Sequence, residues 1–168
     1  MTSSPSSRQT ELFARLKVLV VDDSVEMRRL LVALLNVMGI GEVICAPDGD
    51  TGLRLYAERN PDLVITDGTM QPMDGYEMTR AIRAMRKADD TPDRGAEVPV
   101  LMLSGHTGPE IIARARDEGV TDYIVKPVTP ELLYERVMEA VSKPVHLVET
   151  PTWRGPSPTR RLTIRSAE

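Results

Sequence analysis

The chain has 168 residues, a formal net charge of −4 and 41% hydrophobic residues, which is a globular composition and argues against nucleic acid as the main partner. Its single cysteine, Cys45, excludes an internal disulfide and indicates a reducing compartment, and its apolar neighbours predict a small core residue. No apolar stretch is long enough for a signal peptide or a membrane span, so we expect a soluble, cytoplasmic protein without a membrane partner.

Short apolar runs alternate with amphipathic segments from Lys17 onward. The apolar runs KVLVV, EVICA, DLVIT, VPVLML and DYIV predict buried strands at 17–21, 42–46, 62–66, 98–103 and 122–125. The segments that follow them predict helices at 24–39, 50–60, 76–87, 109–119 and 130–142. Five successive β-α units predict a parallel sheet covered by helices on both faces.

Both ends of the chain differ in texture from this alternating region. Residues 1–15 are polar and serine-rich, which predicts a flexible leader. Residues 88–97 form a long polar loop between two predicted elements. Residues 143–168 contain four prolines and four arginines without periodicity, which predicts an extended, partly disordered tail and no output domain. We therefore expect one folded domain over residues 16–142.

Polar side chains follow the predicted strands at the point where each strand ends. These residues are Asp22 and Asp23 after the first strand, Asp67 after the third, Ser104 after the fourth and Lys126 after the fifth. The carboxyl ends of parallel strands meet at one edge of the sheet, so we expect these side chains to converge. Three carboxylates repel one another and favour a hard divalent cation such as Mg²⁺. A lysine and a hydroxyl suit phosphoryl oxygens, and an aspartate beside them is a competent nucleophile toward phosphorus.

The motifs VVDDS, DLVITD with the following MDG, LMLSGH and DYIVKP resemble the receiver domain of two-component response regulators over roughly residues 16–142. The segment DDSVEMRRLL is also similar to the matching helix of chemotaxis response regulators. The resemblance implies an α/β, flavodoxin-like receiver fold, with a five-stranded parallel sheet of order 2-1-3-4-5 flanked by five helices. It also implies a cis peptide bond between Lys126 and Pro127.

The resemblance assigns roles to individual positions. It implies that Asp67 is the phosphoacceptor, with Ser104 and Lys126 contacting the phosphoryl group. It implies that Tyr123 is a switch aromatic that turns inward when Ser104 moves. The implied ligands of Mg²⁺, or of Mn²⁺ in its place, are Asp22 through water, Asp23, Asp67 and the backbone carbonyl of Thr69. The implied residues around access to the phosphoryl group are Thr69, Gly105 and His106.

The function implied is a stand-alone phosphorylation switch in a bacterial two-component phosphorelay. A histidine kinase or a histidine phosphotransfer protein would phosphorylate Asp67, and the region of the fourth strand, the next helix and the fifth strand would change its partner binding. Enzymatic activity is not expected beyond self-phosphorylation and self-dephosphorylation. A homodimer could form through the face of the helix at 109–119, the fifth strand and the last helix, where four charged residues fall: Arg114, Arg116, Asp122 and Arg136.

Other interpretations stay open from the residues alone. The turn TDGTM is similar to that of haloacid-dehalogenase-type phosphatases, but positions 65 and 69 carry Ile and Thr instead of a second acid. A receiver-shaped binding module that does not use phosphate is a third function. At the level of single residues, Asp22 and Asp23 could cap a helix, Asp67 could be a turn residue, Tyr123 an ordinary strand residue and His106 a loop residue. The tail arginines could be a solvated tail or a small basic patch.

Overall fold

The computed structural model describes residues 6–85, 97–143, 145, 147–151, 153–156, 162 and 164–166. The helices are α1 (Ser7–Arg15), α2 (Val25–Val37), α3 (Gly49–Arg59), α4 (Gly75–Ala84), α5 (Pro109–Glu118) and α6 (Pro130–Ser142). The strands are β1 (Lys17–Val21), β2 (Glu42–Ala46), β3 (Leu63–Asp67), β4 (Val100–Ser104), β5 (Asp122–Val125), β6 (Leu147–Thr150), β7 (Trp153–Pro156) and β8 (Ile164–Arg165).

The central sheet confirms the predicted parallel order. Strands β2, β1, β3, β4 and β5 lie side by side in that order, and each adjacent pair is parallel. The short strand β8 adds a sixth, parallel strand beyond β5. Because consecutive side chains of a strand point to opposite faces, each strand feeds two separate cores.

One core lies between the sheet and helices α1, α2 and α6. It includes Val18 and Val20 of β1 together with Phe13, Leu31 and Leu133 of the three helices. The opposite face is covered by α3, α4 and α5. Its buried residues include Leu19 and Val21 of β1, Tyr56, Met78 and Ala115. Alternate residues of KVLVV therefore pack into the two cores on opposite faces of the sheet.

Helix boundaries follow the local chemistry of the sequence. Ser24 caps α2 by accepting the backbone N–H of Met27, and Thr129 caps α6 in the same way from Leu132. Asp74 and Glu77 form a reciprocal capping box at the start of α4. Helix α4 ends at Ala84, earlier than the predicted end at 87.

The prediction of a flexible leader over residues 1–15 is wrong from Ser6 onward, because α1 forms and packs on the domain. Ser6 caps the helix through a capping box with Gln9. Phe13 is 2% exposed and meets the ring of Tyr134 edge-on at 5.6 Å. The Gly41 N–H also donates to the Phe13 carbonyl oxygen. The sequence pattern missed this helix because its apolar residues are few, and the described fold has six helices instead of five.

The tail predicted over 143–168 is extended in its described residues, which are paired as strands instead of standing alone. Strands β6 and β7 pair in an antiparallel hairpin, and β8 joins the main sheet. The arginines at 160 and 161, and residues 88–96 of the polar loop, lie outside the described residues. The side chains of Arg154 and Arg165 do so as well, so the basic-patch hypothesis stays a prediction.

Two further observations bear on the composition. Cys45 is exposed, so the prediction of a core residue is wrong: its side chain falls on the outer position of β2 while Ile44 and Ala46 point inward. Among the described residues, no helix is both long and apolar enough to cross a membrane.

Candidate functional site

Three carboxylates converge at the carboxyl edge of the sheet. Asp22 and Asp23 directly follow β1, and Asp67 is the last residue of the neighbouring strand β3. One carboxylate oxygen from each lies within 4.8 Å of the others. The strand ends therefore bring together the acids that the sequence pattern predicted.

Asp22 is the buried member of this group, with 1% of its surface exposed. Its Oδ1 accepts the backbone N–H of Ser24 at 2.9 Å, whereas its buried Oδ2 has no hydrogen-bond donor. Burial raises the pKa of Asp22, and the charges of Asp67 and Asp23 add to that rise against the opposing effects of the Ser24 N–H and Lys126. An orphaned buried oxygen among like charges fits a hard divalent cation with oxygen ligands.

Lys126 supplies the only positive charge paired with these acids in the described structure. Its Nζ lies 3.4 Å from Asp67 Oδ1 and 3.6 Å from Asp22 Oδ2. Its backbone N–H donates to the Ser104 carbonyl oxygen at 2.8 Å, which fixes the loop beside β4. The Lys126–Pro127 peptide bond is cis, as the resemblance implied. One ammonium is paired with two of the three clustered carboxylates, so the cluster keeps an excess of negative charge.

The acidic pair does not cap α2, so that alternative is wrong. Ser24 occupies the N-cap and accepts the Met27 N–H at 3.2 Å. Asp67 is paired within the sheet, opposite Leu103 of β4, and so is a strand residue instead of a turn residue. Asp22, Asp23 and Asp67 therefore lie at the ends of β1 and β3, and none of them is the N-cap of α2.

Ser104 ends β4 and is 2% exposed. Its Oγ accepts the backbone N–H of His106 at 3.2 Å. The carbonyl oxygen of the same His106 accepts the hydroxyl of Tyr123 at 2.6 Å. Tyr123 is fully buried, so its ring already lies inward in this structure. A single loop residue thus connects Ser104 to Tyr123 through its two backbone groups.

The remaining predicted positions follow the ends of β3 and β4. Thr69 and His106 are exposed in the loops after β3 and β4. Gly105 is also exposed, and an added Cβ there would meet nothing within 4 Å. The fold itself therefore does not require glycine at 105. The backbone carbonyl of Thr69 stays a predicted metal ligand.

The sequence analysis missed Gly75, which packs closely against the backbone of Asp67. A Cβ on Gly75 would lie 2.0 Å from the Asp67 carbonyl oxygen, so only glycine permits this close approach. The Gly75 N–H also donates to the Gly68 carbonyl oxygen at 3.1 Å. The available signal was the Asp74-Gly75 pair in the motif MDG. Asp74 marks the start of a helix, and a glycine in the first helical position indicates a close backbone approach.

Tyr76 is the second residue that the sequence did not single out. Its ring lies against Gly68, where an added Cβ would come within 3.1 Å of the ring. The pKa of Tyr76 is raised well above its usual range, first by burial and then by a hydrogen bond with Tyr123. The guanidinium of Arg114 sits 4.4 Å from the ring centroid and also pairs with Asp74 at 3.0 Å.

The four charged residues predicted for a dimer face are engaged within the chain. Arg114 contacts Asp74 and Tyr76, and Arg116 pairs with its neighbour Asp117 at 3.0 Å. Arg136 pairs with Asp122 at 3.4 Å, and their side chains are only 11% and 17% exposed. Three of the four therefore have intramolecular roles across helices or between helix and strand.

The family is settled by sequence comparison. The family model described as the response regulator receiver domain matches residues 18–138. The chain therefore belongs to the receiver domains of response regulators, which work in two-component signalling.

Individual relatives agree with this assignment. The chain is 35% identical to the chemotaxis protein CheY of Pseudomonas aeruginosa over 73% of its own length and 93% of that protein. It is 31% identical to the probable transcriptional regulator ycf27 of Porphyridium aerugineum, over 76% of its own length and 48% of that longer protein. The structure of Vibrio cholerae CheY4 is similar with a TM-score of 0.66 and 32% identity, covering 74% of this chain and 98% of that one. This chain thus carries segments beyond the shared receiver domain.

Proposed function

We propose that this protein is a phosphorylation switch that accepts a phosphoryl group on Asp67 from a phosphohistidine. The observation that carries the proposal is the position of the Lys126 ammonium, 3.4 Å from Asp67 Oδ1 and 3.6 Å from the buried Asp22. The lysine leaves the three acids with excess negative charge, which suits a divalent cation, and leaves Asp67 partly exposed to an incoming donor.

The chemistry follows from the residues at this edge. A carboxylate oxygen of Asp67 forms a bond to phosphorus while the phosphorus–nitrogen bond of the donor histidine breaks. The electron pair stays on the imidazole nitrogen, which takes up a proton from solvent. The Lys126 ammonium leaves its carboxylate partners to pair with a phosphoryl oxygen, and the Ser104 hydroxyl donates to another. Rigid attachment of Asp67 to β3 holds the nucleophile in place.

Asp22, Asp23 and Asp67 would hold Mg²⁺, with Mn²⁺ as an alternative, and we expect the Thr69 carbonyl oxygen to be a further ligand. When bound, the ion supplies positive charge for the phosphoryl oxygens. The protein's own residues supply the remaining needs: Asp67 attacks, Lys126 neutralises charge, and Ser104 donates a hydrogen bond.

Phosphorylation of the isolated protein tests this proposal. Intact mass is measured after incubation with Mg²⁺ and acetyl phosphate for the wild type, Asp67→Asn and Asp50→Asn. Asp50 is exposed in the first turn of α3 and serves as the matched control. We expect one added phosphoryl mass in the wild type and in Asp50→Asn, lost with EDTA and in Asp67→Asn. If neither acetyl phosphate nor a phosphorylated histidine kinase labels the wild type, the phosphate-independent binding module becomes the better function.

The partners follow from the same chemistry. The phosphoryl donor is a histidine kinase or a histidine phosphotransfer protein, and the output is a change in protein binding at the face formed by β4, α5 and β5. Ser104 and Tyr123 transmit the change, since both bond to the backbone of His106. Thr69, Gly105 and His106 set access of water to the phosphoryl group and hence its lifetime.

We infer that the protein is not a general phosphatase. Positions 65 and 69 carry Ile and Thr where a haloacid-dehalogenase-type enzyme has its second acid, and Asp67 ends the central strand β3. Incubation with p-nitrophenyl phosphate and Mg²⁺ should release no product above that of Asp67→Asn. Sustained turnover that depends on Asp67 would establish an enzyme instead.

A further inference from the structure

The last described part of the chain lies on the face of the domain that carries Tyr123. We call residues 153–156, 162 and 164–166 the docked tail. Strand β7 contacts α4, and Gly155 and Pro156 are buried. A Cβ on Gly119, at the end of α5, would come within 3.1 Å of Pro156 Cδ. The docked tail is therefore anchored first between α4 and the end of α5.

The second anchor is the edge of the main sheet. Strand β8 pairs in parallel with β5, with Ile164 opposite Tyr123 and Arg165 opposite Ile124. Without β8, the outer edge of β5 would present unpaired backbone N–H and C=O groups, which readily take up an added strand. The docked tail supplies that strand from the same chain.

The third contact is apolar and involves the switch residue itself. Leu162 is partly buried and packs against the cluster that contains Tyr76, Met102 and Tyr123. Tyr123 is fully buried in this cluster, and its hydroxyl is bonded to the His106 carbonyl oxygen. A Tyr123 ring that left the interior would remove part of the surface on which Leu162 packs.

We propose that the docked tail is an intramolecular ligand of the α5–β5 face that binds when Tyr123 lies inward. The proposal rests on the proposed function, in which phosphorylation of Asp67 acts through Ser104 and holds Tyr123 in the inward position that this structure shows. Phosphorylation then tightens the docked tail, and by thermodynamic reciprocity the docked tail favours the phosphorylated state. The two effects must be equal in size because they share one coupling free energy.

This arrangement defines the kind of partner that the surface accepts. A protein that reads the phosphorylated state at this face must displace the docked tail or bind elsewhere. The displacing segment is an extended strand that runs parallel to β5 and places an apolar side chain at the position of Leu162. A homodimer through the same face also needs the tail to leave β5.

Hydrogen exchange of the full-length chain tests the proposal. Exchange of peptides covering 122–125 and 162–166 is followed by mass spectrometry with and without acetyl phosphate and Mg²⁺, for the wild type, Leu162→Ser and Val148→Ser. Val148 is 42% exposed in β6 and provides a matched loss of an apolar side chain from the same end of the chain. Leu162→Met keeps the apolar contact and should behave as the wild type.

We expect phosphorylation to slow exchange in both peptides of the wild type and of Val148→Ser. In Leu162→Ser, the slowing of exchange on phosphorylation should be roughly five- to tenfold smaller than in the wild type, as expected for removal of a half-buried leucine side chain. This variant should also bind the phosphoryl mimic beryllium fluoride more weakly, by a factor no larger than that reduction. Circular dichroism of Leu162→Ser should match the wild type, because Leu162 is only partly buried at the margin of its core.

Three results would overturn the proposal. Equal exchange in the wild type and in Leu162→Ser means that the tail does not dock through Leu162. Faster exchange after phosphorylation means that the tail prefers the unphosphorylated state. A chain that takes up no phosphoryl group removes both the proposed function and the coupling, while the exchange of the unphosphorylated chain still decides whether the tail docks.

Discussion

The acidic cluster and the tyrosine pair, Tyr76 and Tyr123, lie in neighbouring parts of the domain. They differ in whether their polar groups have hydrogen-bond partners. In the acidic cluster, a buried oxygen of Asp22 has no donor and one lysine is paired with two of the three carboxylates. In the tyrosine pair, Tyr76 and Tyr123 belong to one buried cluster, and the Tyr123 hydroxyl donates to the His106 carbonyl oxygen. Unsatisfied charge favours binding of a ligand, whereas satisfied and packed groups favour one fixed conformation.

The two regions have different roles: the acidic cluster is suited to bind ligands, and the tyrosine pair is suited to transmit a conformational change. The cluster formed by Asp22, Asp23, Asp67 and Lys126 stores electrostatic repulsion that a cation and a phosphoryl group can relieve. The tyrosine pair and the docked tail form an apolar assembly whose members share contacts. A change in the first region reaches the second through the backbone of His106, which bonds to Ser104 on one side and Tyr123 on the other.

The largest expected effect comes from removing the positive charge of the cluster. Lys126→Met should slow phosphorylation of Asp67 by acetyl phosphate roughly 100-fold, because a preorganised charge partner for the phosphoryl oxygens is lost. The rate is measured by the time course of intact mass. Lys143→Met is the control, since Lys143 is 70% exposed and pairs only with Glu139 among the described residues. A rate within twofold of the wild type would show that Lys126 is a structural ion-pair partner alone.

An intermediate effect is expected from relieving the repulsion in the cluster. Asp22→Asn keeps an acceptor for the Ser24 N–H but removes a buried charge whose pKa is raised by burial. Without Mg²⁺, the free energy of unfolding should rise by about 1 kcal/mol, and the additional stabilisation by Mg²⁺ should disappear. Thermal unfolding with and without Mg²⁺ measures both, with Asp50→Asn as control. A less stable variant that Mg²⁺ still stabilises would contradict the account of the cluster.

The smallest effect is expected in the tyrosine region. Tyr76→Phe keeps the ring against Gly68 and under Arg114 but removes a hydroxyl from the buried cluster that contains Tyr123. It should cost about 0.5 kcal/mol in the free energy of unfolding and leave phosphoryl uptake within a few-fold of the wild type. Urea unfolding is the measurement. Tyr134→Phe, on the opposite face of the sheet against Phe13, is the matched control. Loss of phosphorylation in Tyr76→Phe would remove the distinction between the two regions.

Much of the fold follows from patterns that are local in sequence. The five apolar runs became the five central strands because each is short and apolar on both faces, as a doubly covered strand must be. The elements missed were those with weak local patterns. Helix α1 gains its stability from Phe13 packing on Tyr134, which is far away in sequence. Cys45 was misplaced because EVICA reads as buried on both faces, whereas β2 forms one edge of the sheet and exposes that position.

The candidate site divides in the same way. Asp22, Asp23, Asp67, Ser104 and Lys126 could be predicted because each directly follows an apolar run, and the ends of parallel strands must meet. Tyr76 and Gly75 could not, because their importance lies in what they touch: the backbone after Asp67 and the hydroxyl of Tyr123. No spacing rule predicts the contacts that the start of α4 makes with the end of β3 and with β5.

The sequence by itself predicted the five parallel strands and the acidic edge, because periodicity and strand-end residues are properties of short segments, and the strand order was implied by the resemblance to receiver domains. Only the tertiary structure decided that α1 belongs to the domain, that Tyr123 lies inward, and that β8 covers the edge of β5. These features depend on contacts between residues that are distant along the chain. The free energy that stabilises these features comes from burial against surfaces that exist only once the sheet has formed.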